Sequence, residues 1–386
     1  MEISMTKIAS VLAIAMAIIA SITAGAYAHQ LPDGFKGFDD PANCGACHDA
    51  IYSEWEGSMH AKSSKFGDPL HAAVADAFAG AMAAKGGKGN YFCANCHAPA
   101  ADNMAALMKG EAAPDPENVT NTRGVTCSFC HMVDGVVQGE KFHTYEVTDG
   151  IKGAVADVKA PHATARWSFE DAYDMCLGCH GKLVSGKGGV VCSMEDEGIS
   201  DCLSCHMETV DGPPAKGSKK AAHAYHGMFG AHDPGMLKKG ASVSLAVEGG
   251  TLKVTLANPN PHYFPSTNPL RMAFVKFTVL GADGSVMYKN FQNSPEEDPQ
   301  AMLIKVFKAG GEVGVPSWEA EGVARDTRLK PGETRVLTYS IPDGAAKVKA
   351  GLYYRFVPPK AMGKFGIRPD GTVEKPQPVS EAEIAL

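Results

Sequence analysis

The chain has 386 residues and a formal net charge of −7, with 36 Lys and Arg against 43 Asp and Glu. Because no stretch gathers the basic residues into a stripe, the composition argues against a nucleic-acid partner. The chain contains 11 cysteines, all before residue 206, so thiol chemistry is confined to its N-terminal half.

The first 28 residues have the pattern of a secretory signal peptide. Lys7 precedes an apolar run from Ile8 to Ile22, and Ala26-Tyr27-Ala28 follows it, which predicts cleavage after Ala28. A membrane anchor is the alternative, but a spanning helix needs about 20 apolar residues and this run is shorter. We therefore expect an exported protein, in the periplasm or at the cell exterior, with no membrane span in the mature chain.

Two cysteines three positions apart are followed at once by histidine at five places. The motifs comprise Cys44, Cys47 and His48; Cys93, Cys96 and His97; Cys127, Cys130 and His131; Cys176, Cys179 and His180; and Cys202, Cys205 and His206. On a helical turn both thiols face the same way and can add to the vinyl groups of one porphyrin, while the histidine reaches the iron as proximal ligand. Zinc sites and redox dithiols share the cysteine spacing but do not explain a histidine after every pair. The motifs therefore predict five covalently bound haem c groups.

Residues 29–238 are predicted to form a multihaem cytochrome c domain of short helices and loops. This stretch is rich in Ala and Gly and poor in large aliphatic residues, so it could not build a core at this length without the apolar surface of the porphyrins. We expect this half to be unfolded without haem. The motifs start 49, 34, 49 and 26 residues apart, which is too irregular for a solenoid but short enough to keep the haems close.

One cysteine lies outside the motifs. Ten of the 11 belong to the five pairs, so no structural disulfide remains to be formed in an oxidising compartment. We predict that Cys192, the remaining one, is a buried and inert thiol. An intermolecular disulfide through Cys192 is the alternative.

Residues 239–386 are predicted to form a β-sandwich. After a loop-rich segment at 207–240, Val243, Leu245 and Val247 alternate with polar neighbours, and a second alternating run follows at 252–256. Turn residues separate four further predicted strands, and a long irregular excursion is predicted at 291–332. These strands are at 271–281, 285–290, 334–341 and 346–357. The predicted fold class is α+β with two domains, the second an antiparallel, immunoglobulin-like sandwich.

Nine histidines lie outside the motifs, whereas five haems need at most five further ligands. They are His29, His60, His71, His143, His162, His223, His226, His232 and His262. Methionine is the main competitor for the distal position. However, Met132 and Met207 directly follow proximal histidines and cannot easily reach the opposite face of the same haem. Bis-histidine ligation is therefore the preferred prediction, and it favours low reduction potentials.

Several short stretches together resemble the multihaem cytochrome c-554 family and larger bacterial relatives. Those that resemble the family are Cys44 to His48, Trp55 to Ala61, Cys93 to Pro99 and Gly124 to His131. Those that resemble the larger relatives are Pro161-His162, Cys202 to Met207, His226 to His232 and, in their C-terminal domain, Asn260 to Pro265. The family includes the electron acceptor of hydroxylamine oxidation, and its type member carries four haems where this chain has five motifs.

This resemblance implies a set of distal iron ligands. They are His60, His162, His226, His232 and His262. Ligation by His262 would bring the β-domain into contact with the haem domain, and the alternative is a turn residue between Pro261 and Phe264. His143 is the reserve candidate, whereas His71, His223 and His29 are expected at the surface.

Three functions remain open. The leading hypothesis is an electron-transfer protein that connects donor and acceptor redox proteins, since five cofactors and few acid–base residues suit conduction better than catalysis, and an acidic surface suits basic patches on partners. We predict no catalytic residue. The second hypothesis is an oxidoreductase acting on a small nitrogen or sulfur compound at one open haem. The surplus of histidines and the lack of a Cys-x-x-Cys-Lys motif argue against it. The third hypothesis is that the protein assembles into an oligomer, as one subunit of an extracellular cytochrome filament.

Overall fold

The computed structural model describes residues 40–153, 157–166, 173–199, 201–368, 373 and 375–386. The predicted signal peptide and His29 lie outside the described residues. Within the described ranges, no helix is both long enough and apolar enough to cross a membrane.

Short helices dominate the N-terminal half. They are α1 (Ala42–Gly45), α2 (Asp49–Gly57), α3 (Pro69–Ala84), α4 (Ala94–His97), α5 (Met104–Lys109), α6 (Val119–Thr122), α7 (Cys127–Met132), α8 (Tyr173–His180), α9 (Leu203–His206) and α10 (Pro234–Lys238). The longest, α3, begins where the Asp68 carboxylate accepts a hydrogen bond from the backbone N–H of Leu70 and Pro69 occupies the first helical turn.

Small strand pairs connect these helices. They are formed by β1 (Val133–Val137) with β2 (Thr144–Val147), β3 (Ile151–Lys152) with β4 (Thr164–Ala165), β5 (Lys182–Val184) with β6 (Val190–Ser193), and β7 (Thr209–Asp211) with β8 (Ala222–Ala224). All are antiparallel except β3–β4. The sequence analysis did not predict these pairs, because strands this short carry no readable alternation.

Two antiparallel sheets make up the C-terminal half. The strands are β9 (Ser242–Glu248), β10 (Thr251–Ala257), β11 (Met272–Gly281), β12 (Val286–Lys289), β13 (Met302–Ala309), β14 (Glu312–Val313), β15 (Gly322–Asp326), β16 (Thr334–Ser340), β17 (Ala345–Arg355) and β18 (Gln377–Ala385). The first sheet has the order β16-β10-β9, and the second has the path β14-β13-β11-β17-β18, with β12 paired to β11 and β15 to β13. Helix α11 (Pro359–Phe365) lies between β17 and β18.

All six predicted strand positions are confirmed, but the irregular excursion at 291–332 is wrong. That segment contributes β13, β14 and β15, and β13 pairs with the central strand β11. The short helices of the N-terminal half and the antiparallel sheets of the C-terminal half confirm a fold that mixes helices and strands. The immunoglobulin-like form of the sandwich and the division of the chain at 238/239 stay predictions.

The sheets and parts of the N-terminal half share one core. Leu252 of β10, Val275 of β11 and Leu352 of β17 are fully buried in it, and Leu70 of α3 and Leu237 of α10 belong to the same cluster. The two halves of the chain are therefore packed together rather than joined only by a linker.

Two further contacts join the halves. The Trp318 ring packs between Phe78 of α3 and Phe365 of α11, with ring centres 5.6 Å apart in both pairs. The Lys305 ammonium of β13 donates hydrogen bonds to the backbone carbonyls of Val190 and Val191 on β6, at 3.2 and 3.0 Å.

Replacing Val275 with Ala should lower the free energy of unfolding by about 2 kcal/mol, because two buried methyl groups are lost and a cavity remains. Guanidinium denaturation of the haem-loaded protein, followed by far-UV circular dichroism, measures this. The matched control is Val336→Ala on β16, where the residue is 51% exposed and the change should stay within about 0.5 kcal/mol. Equal losses in the two variants would contradict the assignment of the core.

Candidate haem-binding sites

Each motif forms a turn of helix. The backbone N–H of His48, His97 and His206 donates to the carbonyl of the first cysteine of its motif, at 2.9, 2.9 and 3.0 Å. The third and fourth motifs lie inside α7 and α8. This geometry is the one predicted for two thiols that react with a single porphyrin. We call the motifs sites 1 to 5 in chain order.

A backbone carbonyl fixes the imidazole at four of the sites. Nδ1 of the proximal histidine donates to the carbonyl of Pro214 at site 1 (2.7 Å), Ser63 at site 2 (2.9 Å), Lys152 at site 3 (2.6 Å) and Phe229 at site 5 (2.5 Å). Since Nδ1 carries the proton, the lone pair of Nε2 is left for a metal.

Three of the proximal histidines face a second histidine. The ring centres are 6.2 Å apart for His180 and His60, 6.3 Å for His131 and His226, and 6.4 Å for His206 and His262. Two metal–imidazole bonds of about 2 Å, added to the two ring radii, place ring centres about 6.3 Å apart. The three pairs therefore have the separation that one iron between two imidazoles requires.

The second histidine of two pairs also has a fixed tautomer. Nδ1 of His226 donates to the Ala224 carbonyl at 2.7 Å, and Nδ1 of His262 donates to its neighbour Tyr263 at 3.2 Å. Nδ1 of His60 instead lies against the sulfur of Met228. Histidines in pairs suit an iron already held by a porphyrin, and the described residues contain no group of three or more His, Cys, Asp or Glu that could hold a bare ion.

Burial keeps these imidazoles in the neutral form that binds metals. It lowers the pKa of His60 and of His131 to about 4. It also lowers the pKa of His180, His226 and His262.

Site 2 has a different neighbour. The ring of His71 lies parallel to that of His97, with centres 3.7 Å apart, which is too close for an iron between them. Nε2 of His71 is hydrogen-bonded to the Tyr91 hydroxyl at 2.8 Å. The expectation that His71 lies at the surface is wrong, since the residue is only 8% exposed.

The remaining histidines divide into two groups. His143 and His223 are buried with both ring nitrogens in use. His143 contacts the Gly139 N–H and Glu195, and His223 contacts the Gly212 carbonyl and Glu54. Because of these contacts, neither histidine lies at the surface, and the expectation of a surface position for His223 is wrong. Both nitrogens of His143 are engaged, so His143 has none left to bind iron.

His162 and His232 are the other two predicted ligands. His162 is half-exposed, and its Nδ1 donates to the Ala163 carbonyl at 3.1 Å. His232 is exposed and stacks on Phe356, with ring centres 4.2 Å apart. Ligation of iron by either stays a prediction.

Thiols of different motifs contact each other. A hydrogen bond with Cys127 lowers the pKa of Cys44 to about 7, and the same contact raises that of Cys127. A hydrogen bond with Cys179 lowers the pKa of Cys96, and one with Cys176 lowers that of Cys202. The attachment turns of sites 1 and 3, 2 and 4, and 4 and 5 are therefore neighbours.

Comparisons with known proteins agree with these sites. A family model described as cytochrome c554 and c-prime matches residues 43–132, which contain the first three motifs. The crystal structure of a penta-haem cytochrome c552 from Thermochromatium tepidum is 25% identical in sequence and aligns at a TM-score of 0.71, over 89% of this chain and 97% of that chain. The chain is a multihaem c-type cytochrome similar to the cytochrome c554 family. These two matches support haem c as the cofactor and electron transfer as the role.

Other structural matches of this cytochrome carry no argument. A hypothetical protein from Pyrococcus horikoshii (12% identity, 38% of this chain and 86% of that one) aligns at a TM-score of only 0.15. A superoxide reductase is 9% identical, over 37% of this chain and 84% of that chain, and aligns at a TM-score of 0.18. No curated protein matches the chain.

A tyrosine that the sequence analysis missed supports site 4 of the cytochrome. The Tyr145 hydroxyl donates to the Met175 carbonyl at 2.6 Å and lies 3.4 Å from the sulfur of Cys179. Its ring packs edge-on against Phe129 of site 3 at 5.2 Å. A Cβ on Gly178, inside the fourth motif, would stand 2.0 Å from this ring. No sequence signal links residue 145 to residue 178, because the contact exists only in the fold.

Gly178→Ala should therefore displace the turn that carries Cys176 and Cys179 and reduce haem attachment at site 4. Intact mass of the exported protein should show a fraction lacking one haem. The control is Gly186→Ala, where an added Cβ meets nothing within 4 Å. Full haem occupancy in Gly178→Ala would show that Tyr145 does not support the attachment turn.

Proposed function

We propose that this chain is an exported electron carrier that binds five haem c groups, one at each motif. When bound, these groups accept and release single electrons at their irons. The observation that carries the proposal is that contacts link the attachment turns of all five sites: thiol contacts join site 1 to site 3 and site 4 to sites 2 and 5, and Tyr145 joins site 3 to site 4. A carrier needs this proximity, because electron transfer slows steeply with distance.

Axial ligands follow from the histidine pairs. His131 and His226 serve site 3, His180 and His60 serve site 4, and His206 and His262 serve site 5. The separations of 6.2–6.4 Å and the neutral imidazoles support these three assignments.

For site 1 we propose His48 with His162. The loop that holds His162 is fastened to the loop that covers His48, because the Asp157 carboxylate accepts a hydrogen bond from Ser218 at 2.8 Å and the neighbouring Pro214 carbonyl accepts one from His48.

The thiol contacts also order the sites. Site 1 adjoins site 3 through Cys44 and Cys127. Site 3 adjoins site 4 through Tyr145, whose ring contacts Phe129 and whose hydroxyl contacts Cys179. Site 4 then adjoins both site 2 and site 5. In this order, site 4 is the junction, and sites 1, 2 and 5 are ends.

Replacing His226 with Ala should convert one low-spin iron to high spin, because site 3 loses its second imidazole. Low-temperature electron paramagnetic resonance of the oxidised protein measures this, with haem number checked by intact mass. His223→Ala is the matched control three residues away, since both nitrogens of His223 bond to protein groups. A high-spin signal in both variants, or in neither, would remove His226 as a ligand.

A second candidate function is chemistry on a small nitrogen or sulfur compound at site 2. The observation in its favour is the 3.7 Å stacking of His71 on His97. In the described part of the chain, His97 therefore faces no second imidazole at the distance that an iron between two rings requires. Catalysis at an iron requires an open coordination position. The unaltered protein should then show one high-spin iron whose signal shifts when nitrite or hydroxylamine is added. An all-low-spin spectrum would eliminate this candidate and leave the carrier.

A further inference from the structure

The most exposed motif cysteines lie at two of the five sites. Of the motif cysteines, Cys47 of site 1 and Cys205 of site 5 are exposed, and the other eight are half-buried. In the proposed order of sites these two are ends of the chain of contacts. These two turns are therefore candidate places for the approach of a partner protein.

The exposed turn of site 1 is covered by a lysine-bearing loop. The Lys216 backbone N–H donates to the Cys47 carbonyl and its ammonium to the Ala46 carbonyl, both at 2.8 Å. Pro214 of the same loop accepts from His48. The loop is thus fixed directly on the attachment turn.

A second loop widens this surface. Asp157 accepts from the Lys219 backbone N–H at 2.6 Å, and Val158 would contact a Cβ on Gly217 at 3.8 Å. We call residues 157–160 and 211–220 together the lysine collar. Its exposed cations are Lys159, Lys216, Lys219 and Lys220, and its acids are Asp157 and Asp211.

The collar has the opposite sign to most of the molecule. Four cations against two acids give it a net charge of +2, within a chain of −7. Asp40 precedes the motif of site 1 and Asp49 directly follows it, whereas the four cations lie on the two loops of the collar. At site 5 the exposed charged neighbours of Cys205 are instead the acids Asp201 and Glu208.

We propose that the lysine collar is the docking surface for an acidic redox protein, which exchanges electrons at site 1. This proposal rests on the carrier function proposed above and names the chemistry of one partner. Charge complementarity at an exposed site steers encounter and favours one orientation. A small polar patch suits the brief, low-area contacts typical of electron-transfer partners.

The test measures binding and electron transfer separately in the haem-loaded protein. The probe is a plant-type [2Fe–2S] ferredoxin, chosen as a small acidic iron–sulfur protein, and calorimetry at low ionic strength gives Kd. Lys216→Gln, Lys219→Gln and Lys220→Gln combined should weaken binding about tenfold. The difference should vanish in roughly 0.5 M salt, where the Debye length is only about 4 Å. Oxidation of the reduced protein by hexacyanoferrate(III) should slow several-fold in parallel.

Two controls separate docking from other effects. Lys253→Gln, Lys347→Gln and Lys349→Gln combined remove the same charge from the C-terminal sheets and should leave Kd within about twofold, as a distant charge is largely screened. Lys219→Gln with Lys220→Gln leaves the hydrogen bonds of Lys216 intact and should still weaken binding several-fold.

Equal weakening in both triple variants, or affinity insensitive to salt, would overturn the collar as a docking surface. That outcome leaves the carrier function standing, since the spin states and haem number do not depend on these lysines. Conversely, a haem-loaded protein that binds ferredoxin through the collar but exchanges no electrons with it or with hexacyanoferrate would refute the carrier and retain the surface.

Discussion

Contact between attachment turns is the constraint on which the N-terminal half depends. The thiols of Cys44 and Cys127, of Cys96 and Cys179, and of Cys176 and Cys202 come from different motifs, yet in each pair one thiol lies close enough to shift the pKa of the other. Ordinary side chains fill part of the space around these turns, in one cluster that includes Leu107 and Met108 and in another that includes Phe129 and Val133. We expect the porphyrins that the thiols bind to supply the remaining apolar surface, so that cofactor binding and folding are coupled in this half.

The C-terminal sheets contribute to this arrangement through one loop. Nδ2 of Asn258 donates to the carbonyls of His262, Leu329 and Lys330, at 2.8, 3.3 and 2.9 Å. The backbone N–H of Tyr263 donates to Glu197, which lies on the N-terminal side of the fifth motif. These bonds hold His262 opposite His206 from both halves of the chain. The β-half therefore acts as a support for site 5, whatever other role it has.

Sequence reasoning predicted the parts of this protein that are encoded locally. A motif of five residues fixes a helical turn, and alternation in β9 and β10 fixes strands, because neighbouring residues alone determine both. It failed where long-range contacts decide. Strand β13 was missed because Met302 to Ala309 is buried on both faces and shows no alternation. His71 and His223 were placed at the surface because nothing near them in sequence reveals the partners Tyr91 and Glu54.

Small residues make the close approach of the turns possible. A Cβ on Gly124 would stand 2.1 Å from the carbonyl oxygen of His60, and one on Gly178 would enter the Tyr145 ring. Ala94, inside the second motif, and Ala98, directly after it, have no exposed surface. Read from composition alone, this richness in Ala and Gly indicates a half that cannot fill its own core. In the fold such residues allow close approach beside His60 and at the second and fourth motifs, so a composition that weakens an ordinary core suits a cluster of large cofactors.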